Sequence, residues 1–403
     1  MTADRPPNAA DEPPYAWVVV WATFTSLAVI FGVAYSFAAF FESMATEFQA
    51  RRADVSLVFG LSGLVYFTLG AGAGMLADRV GPRRVSVAGM LCIAGGLLAS
   101  SLATSMTMVI LAYGAGVGVG IALVYTPSIA CVQPWFSRRR GLAAGLASAG
   151  IGAGTLLVPL LAAWAIALVQ WRQAMQWMAL GVLVLGLGAA SRMRRAPAAQ
   201  AGPRAVAGVG LREALRSRPF AWMYAMAVLA SPAMFIPFAH LSAAARDRGI
   251  DDARAVGLVG MIGVGSLVGR FVVGALADRL GRGRTLVMAQ ASLGLAFVLW
   301  WGGEGYAALA AFALWMGLSY GGIVSLMPAL CMDLFGARAV SSIIGTLYTG
   351  AAFGNLAGPW LAGAVFDRTG SYAPIIWACV GLQVAGTAAA WRVLATRGDG
   401  PMH

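Results

Sequence analysis

The sequence predicts an all-α membrane protein with twelve transmembrane helices arranged as two pseudo-symmetric six-helix halves. Three observations predict it. Of the 403 residues, 60% are hydrophobic and 11% charged, against about 25% charged in soluble domains, and the mean hydropathy is +0.77. Apolar runs long enough to cross a bilayer, about 20 residues, recur from Tyr15 to Thr396. The chain also repeats itself at a shift of 200 residues: Gly74 and Asp78 match Gly274 and Asp278, Gly145 and Gly150 match Gly345 and Gly350, and Gly154 and Pro159 match Gly354 and Pro359. Copies in the same orientation make a parallel repeat about an axis along the membrane normal.

In chain order, residues 1–14 form a tail with Asp4, Asp11 and Glu12 and no basic cluster. The apolar run that follows is too long for the core of a cleaved signal peptide. The expected spans are 15–41, 53–77, 85–105, 107–134, 141–168 and 171–191, then 219–244, 254–277, 285–303, 305–333, 341–366 and 372–394. Hydropathy alone allows 11 to 13 spans, because the joints near 106, 169 and 304 are very short; the repeat decides for the even number. The domains are therefore a six-helix half at 15–191, a central loop at 192–218, a second half at 219–394, and a tail at 395–403. The loop is basic and rich in Ala, Gly and Pro, and Leu211 to Arg218 reads as an interfacial helix.

The net charge is +12, carried by 28 basic residues, all of them arginine. Such a balance suits a nucleic-acid partner, but in a membrane chain it is explained by basic cytoplasmic loops. With the N-terminus inside, 20 arginines fall in cytoplasmic segments and seven in outer loops, so both termini are expected in the cytoplasm of a cell (inner) membrane protein. Cys92, Cys131, Cys331 and Cys379 sit in or beside apolar runs without metal-ligand spacing and read as packing residues. No nucleotide loop, metal cluster or catalytic triad occurs. The expectation is no enzyme, no cofactor, no metal, no nucleic acid and no obligate protein partner beyond the lipid bilayer.

Two motifs carry the chemistry. The turns Asp78-Arg79-Val80-Gly81-Pro82-Arg83-Arg84 and Asp278-Arg279-Leu280-Gly281-Arg282-Gly283-Arg284 are repeat equivalents at cytoplasmic helix ends. There Asp78 and Asp278 are placed to pair with Arg79, Arg83, Arg279 and Arg282 or with a helix N-terminus, latching the halves until that side opens. Glycine strings at 114–120, 141–145 and 350–358 are expected to let helices pack closely, and no strand precedes them that would make a nucleotide fingerprint.

The second motif is a single residue. Arg270 interrupts an apolar run, and its repeat equivalent is Gly70. It lies eight residues from Asp278, about 12 Å along a helix. A mid-membrane arginine costs roughly 2.5–3.5 kcal/mol to insert, so its default reading is functional. No acidic residue lies mid-span to pair with it. A carboxylate substrate is the natural partner, because guanidinium grips it through two parallel hydrogen bonds.

These motifs resemble a known family. Gly74-x-x-x-Asp78-Arg79-x-Gly81-x-Arg83-Arg84 and its second copy resemble the signature loops of the major facilitator superfamily. Within it, Tyr15-Ala16-Trp17, Tyr35-Ser36-Phe37, Tyr125-Thr126-Pro127, Trp135-Phe136-Ser137-Arg138, Phe235-Ile236-Pro237 and the helix-8 arginine resemble the monocarboxylate porter branch, over about the whole chain. The resemblance implies that Arg270 binds a substrate carboxylate and that transport is coupled to a proton. There are departures. Ser266 stands where animal relatives carry an aspartate, and Tyr35 where they carry a lysine. The related oxalate:formate antiporter has a second cation in helix 11, and Tyr348-Thr349-Gly350-Ala351 offers none. One buried cation suits a monoanion.

The expected activity is proton-coupled symport of a small monocarboxylate, lactate- or pyruvate-like, by alternating access. The alternatives are carboxylate exchange and a non-transporting carboxylate receptor. Arg270 anchors the expected site, with Tyr35, Tyr66, Tyr125, Phe235, Ser266, Tyr348 and Asn355 as cavity candidates that read equally as packing residues. Tyr66 and Ser266 are repeat equivalents, expected to face one another across the axis. Asp247 and His240 are the candidate proton carriers. Asp247 resembles the coupling aspartate of bacterial relatives but also reads as a solvated acid beside Arg246 and Arg248; His240 also reads as a packed histidine.

Overall fold

In a computed structural model, which describes residues 12–136, 139–196, 208–336 and 338–395, the chain is a bundle of long helices. Most of both tails, the middle of the central loop with Arg204, and Ser137 and Arg138 of the Trp-Phe-Ser-Arg motif lie outside the described residues. The first six long helices are α1 (Pro14–Glu47), α2 (Arg52–Val80), α3 (Pro82–Ser101), α4 (Met106–Val132), α5 (Arg140–Leu168) and α6 (Trp171–Ala190). The second six are α7 (Arg218–Asp247), α8 (Asp252–Leu280), α9 (Arg282–Gly302), α10 (Gly305–Phe335), α11 (Val340–Thr369) and α12 (Ala373–Ala395).

Among the described residues, 11 helices are long and apolar enough to cross a membrane. The twelfth expected span, α11, has 30 residues but lower hydropathy, because five glycines, Asn355, Pro359 and three threonines dilute its apolar side chains. It is nevertheless packed inside the bundle, against α2 on one side and α7 on the other. Helix ends run past the expected apolar cores where polar turns continue the helix, as in Glu42–Glu47 of α1 and Asp278–Leu280 of α8. The joint α2–α3 turns at Gly81 with φ 98° and the joint α8–α9 at Gly281 with φ 86°, a conformation that side chains with a Cβ resist.

The glycines at 114–120 and 350–358 are used as spacing predicted, while a Cβ on Gly145 of the 141–145 string would meet its nearest atom, on Phe271, only at 3.9 Å. A Cβ on Gly154 would overlap the backbone of Ala28, and one on Gly354 would overlap Ser231, so α5 lies on α1 as α11 lies on α7. Glycines of α4 do the same against α2 and α3: a Cβ on Gly118 would sit 2.8 Å from the Ser62 carbonyl oxygen. Two seams join the first six helices to the last six. Along one, α2 meets α11, with Gly60 against Leu356. Along the other, α5 meets α8, with Gly152 against Leu267 and Gly263. They are exchanged by the repeat, the arrangement a rocking motion between halves requires.

Large apolar side chains such as Trp21, Leu111, Trp164, Val184, Leu295, Phe353 and Trp391 face outward. That is a cost in water and the proper surface in lipid. The chain is an integral membrane protein. Of the cysteines, Cys131, Cys331 and Cys379 are buried and all four are free.

Candidate functional site

Between the two sets of six helices lies a cavity with about 80 Å³ open to the centres of water-sized molecules. At about 10–15 Å³ per water by that measure, it holds roughly six small groups, the size of a short organic acid. Its wall is aromatic and aliphatic: Phe31 from α1, Tyr66 and Phe67 from α2, Tyr125 from α4, Phe235 from α7, Tyr320 from α10 and Tyr348 from α11. Among the described residues, Arg270 of α8 is the one charged group in that wall. Its Nε and Nη2 are shielded from solvent and have no hydrogen-bond partner among the described residues. A guanidinium so placed presents donors to whatever enters.

The other expected cavity residues divide. Tyr66, Tyr125, Tyr348 and Phe235 line the cavity, held edge to face by Phe31 and Phe67 at centroid distances of 5.3–6.4 Å. Tyr35 stands one layer behind: its hydroxyl is 3.0 Å from that of Tyr320 and its ring stacks on Phe238 at 4.0 Å. Asn355 donates its amide to the Phe59 and Gly60 carbonyl oxygens at 3.4 and 3.3 Å, so it ties the α2–α11 seam instead of facing the cavity. Ser266 is buried where Gly321 packs against its backbone, also off the cavity wall. It therefore does not face Tyr66 across the cavity, because close α8–α10 packing turns that side of α8 away from the axis.

Asp247 and His240 belong to a second cluster, at the end of the bundle opposite the arginine-rich turns. Arg52 at the start of α2 grips Asp247 through two parallel bonds of 2.6 and 2.7 Å, and donates to the Tyr372 hydroxyl at 2.7 Å. Its guanidinium lies 3.9 Å from the centroid of Phe366. The partner of Asp247 is thus neither Arg246, which pairs with Asp252, nor Arg248, which donates to the Trp300 and Gly303 carbonyls. Asp367 of α11 accepts from the backbone N–H groups of Arg52 and Ala53 at 3.1 and 3.0 Å, capping α2 from across the seam.

His240 is buried directly below. Its Nε2 lies 2.8 Å from the Pro359 carbonyl oxygen and 2.9 Å from Ser56 Oγ. The Ser56 hydroxyl already donates to the Arg52 carbonyl, and Pro359 can only accept, which assigns the proton of the neutral ring to Nε2. Nδ1 then accepts from Tyr372 at 3.0 Å. The cluster binds α2 to α7, α11 and α12 and closes that end.

At the opposite end, Asp78, Arg79, Arg83, Asp278 and Arg279 are exposed, and the two aspartates enter no ion pair among the described residues. Arg282 pairs with Asp333 of α10 at 2.5 Å. While the Arg52 end is tied, Asp78 and Asp278 make, among the described residues, none of the ion pairs expected of the latch at the signature turns. Tyr15, Trp17, Trp135 and Phe136 form an aromatic cluster beside it, with Trp17 and Phe136 edge to face at 5.1 Å.

Sequence reasoning missed three residues. Arg52 reads as a loop arginine, and only the fold brings it to Asp247. Tyr320 stands mid-helix in α10 with no motif around it. Gln290 is fully buried in α9, takes part in the cavity wall, and has no partner for either amide atom among the described residues.

A family model described as the Major Facilitator Superfamily matches residues 22–359, and again 258–401. Monocarboxylate transporter 13 of Bos taurus is 32% identical over 369 residues, covering 90% of this chain and 86% of that protein. This chain belongs to the monocarboxylate transporter-like family of the major facilitator superfamily. A fungal protein, MFS-type transporter opdF of Penicillium oxalicum, is 27% identical over 372 residues, covering 91% of this chain and 86% of that protein. The crystal structure of a peptide transporter POT mutant in complex with sulfate superposes with a TM-score of 0.74 at 14% identity, covering 94% of this chain and 95% of that one. That likeness shows a shared fold over nearly the whole chain, and the superfamily itself rests on the family model. It is a transporter-family protein and not an enzyme.

Proposed function

We propose that the chain is a secondary active transporter of a small monocarboxylate, lactate- or pyruvate-like, working by alternating access with a proton as the coupled ion. The observation that carries this reading is Arg270, a cation with free donors in an otherwise uncharged cavity between the halves. One cation and a cavity of this size favour one small monoanion over a dicarboxylate. The names of the animal relatives support the substrate class.

Asp247 is the proposed proton site. As a carboxylate it holds Arg52 and keeps its end shut; protonated, it gives up the charge that holds Arg52, and that end opens. His240, with both ring nitrogens engaged, holds Tyr372 in place for that exchange. One proton and one monoanion carried together are electroneutral. The positive count of the signature-turn end supports a cytoplasmic face there, with both termini inside and the Arg52 end outside a cell (inner) membrane.

Exchange is the second reading, favoured by the same arginine: without an acidic neighbour, Arg270 returns through the membrane more easily with a counter-anion than empty. The test is uptake of labelled monocarboxylates by proteoliposomes, with an inwardly directed proton gradient or with internal unlabelled acid. Uptake driven by the gradient supports symport. Uptake that needs internal anion supports exchange. No uptake and no counterflow with a ligand that still binds makes the protein a receptor.

A further inference from the structure

We propose that Gln290 is a specificity-determining residue that reads a second hydrogen-bonding group on the substrate, a hydroxyl, oxo or amide substituent beside the carboxylate. The inference rests on the reading of Arg270 as the carboxylate anchor. Gln290 is 0% exposed, takes part in the cavity wall, and leaves both Nε2 and Oε1 without a partner among the described residues. A carboxamide in an apolar wall is costly unless something completes its bonds.

Packing does not call for it. Gln290 is the repeat equivalent of Met90, also 0% exposed, whose thioether fills the space against Gly186. The bundle thus accepts an apolar side chain at this register, and the second copy carries an amide there, just as it carries Arg270 where the first copy has Gly70. Both departures from symmetry are polar and both reach the same cavity. They also share a depth: Arg270 is ten residues before the end of α8 and Gln290 eight after the start of α9, about 15 and 12 Å from the Gly281 turn.

Gln383 of α12 is the other amide nearby, its Cβ 3.1 Å from the position a Cβ on Gly294 would take. It donates to the Ala230 carbonyl oxygen at 3.3 Å. The Gln383 Oε1 is left without a partner among the described residues, whereas Gln290 lacks a partner at both amide atoms and lines the cavity, so a group the cavity admits can complete its bonds. An amide both donates and accepts, so it matches a hydroxyl or oxo substituent and has nothing to bond on a plain alkyl chain.

The experiment compares propionate with 2-hydroxypropionate and 2-oxopropionate, acids of one skeleton, in the wild type and in Gln290→Met, the residue the first half uses. Transport in proteoliposomes and ligand-dependent thermal stabilisation in detergent are both read. The expected result is a wild-type preference for the substituted acids of about tenfold, the worth of one net hydrogen bond. In Gln290→Met the ratio of the substituted acids to propionate, measured within the one protein, is expected to fall about tenfold, to near one. Equal wild-type handling of all three acids overturns the proposal without any variant. So does a Gln290→Met protein that keeps the preference, or one that weakens all three acids alike with lower stability in their absence, the mark of a tie between α9 and α12. Failure of the underlying reading looks different: propionate handling is then insensitive to Arg270→Gln.

Discussion

At the residue scale, Arg270 differs from every other arginine described: it ends in a cavity and its free donors face no acid. Arg270→Gln is expected to lower the carboxylate kcat/KM by about 10- to 100-fold, the worth of hydrogen bonds to a charged group, while thermal stability holds or rises because an uncompensated cation has been removed. Tyr125→Phe and Tyr348→Phe keep the aromatic wall and are expected to change KM several-fold at most. Arg270 was legible in the sequence because a charge inside an apolar run has few innocent explanations. Gln290 was not, since a lone amide in a span says nothing about whether a neighbouring helix satisfies it. Asn355 shows the converse. Its polarity suggested a ligand, and the close approach of α2 at Gly60 and Gly63 supplied backbone carbonyls instead.

At the scale of elements, the repeat did more than hydropathy. A threshold on hydropathy passes over α11, whose glycines and Asn355 exist to let it lie against α2 and α7; the match of Gly354 and Pro359 to Gly154 and Pro159 places it regardless. What the repeat cannot give is the seam, because which helix faces which across the axis depends on tilts that no spacing encodes. Two predictions belong here. Gly281→Ala meets no atom within 4 Å, so its cost is backbone strain alone. It is expected to lower stability by about 1–3 kcal/mol, read as thermal unfolding in detergent. Asp367→Ala removes the cap on α2 and is expected to cost about 1 kcal/mol, with the loss confined to the conformation closed at the Arg52 end.

At the scale of the whole molecule, the described residues tie the two halves together more firmly at the Arg52 end than at the signature turns. The halves meet through Arg52, Asp247, Asp367 and Tyr372 on one side, while on the other Asp78 and Asp278 enter no ion pair among the described residues. The sequence offered Asp247 and His240 as separate candidates; their convergence on Tyr372 and Arg52 needed four helices to be placed together. Asp247→Asn is expected to weaken this closure by about 1.5–3 kcal/mol. Electron-spin distances between labels at Arg51 and Asp251 would then report a larger open population than wild type, and one that no longer grows as pH falls. An unchanged distribution that still responds to pH would assign the proton to another group.

The central claim is that Arg270 holds the carboxylate of a transported monoanion. The most direct measurement is equilibrium binding and uptake of labelled 2-hydroxypropionate by wild type and Arg270→Gln, reconstituted side by side and matched for folded protein. The account predicts saturable uptake in the wild type, and loss of both binding and uptake in a variant that is at least as stable. A variant that binds and carries the acid as well as wild type would contradict it, and would put the carboxylate somewhere other than the cavity between the halves.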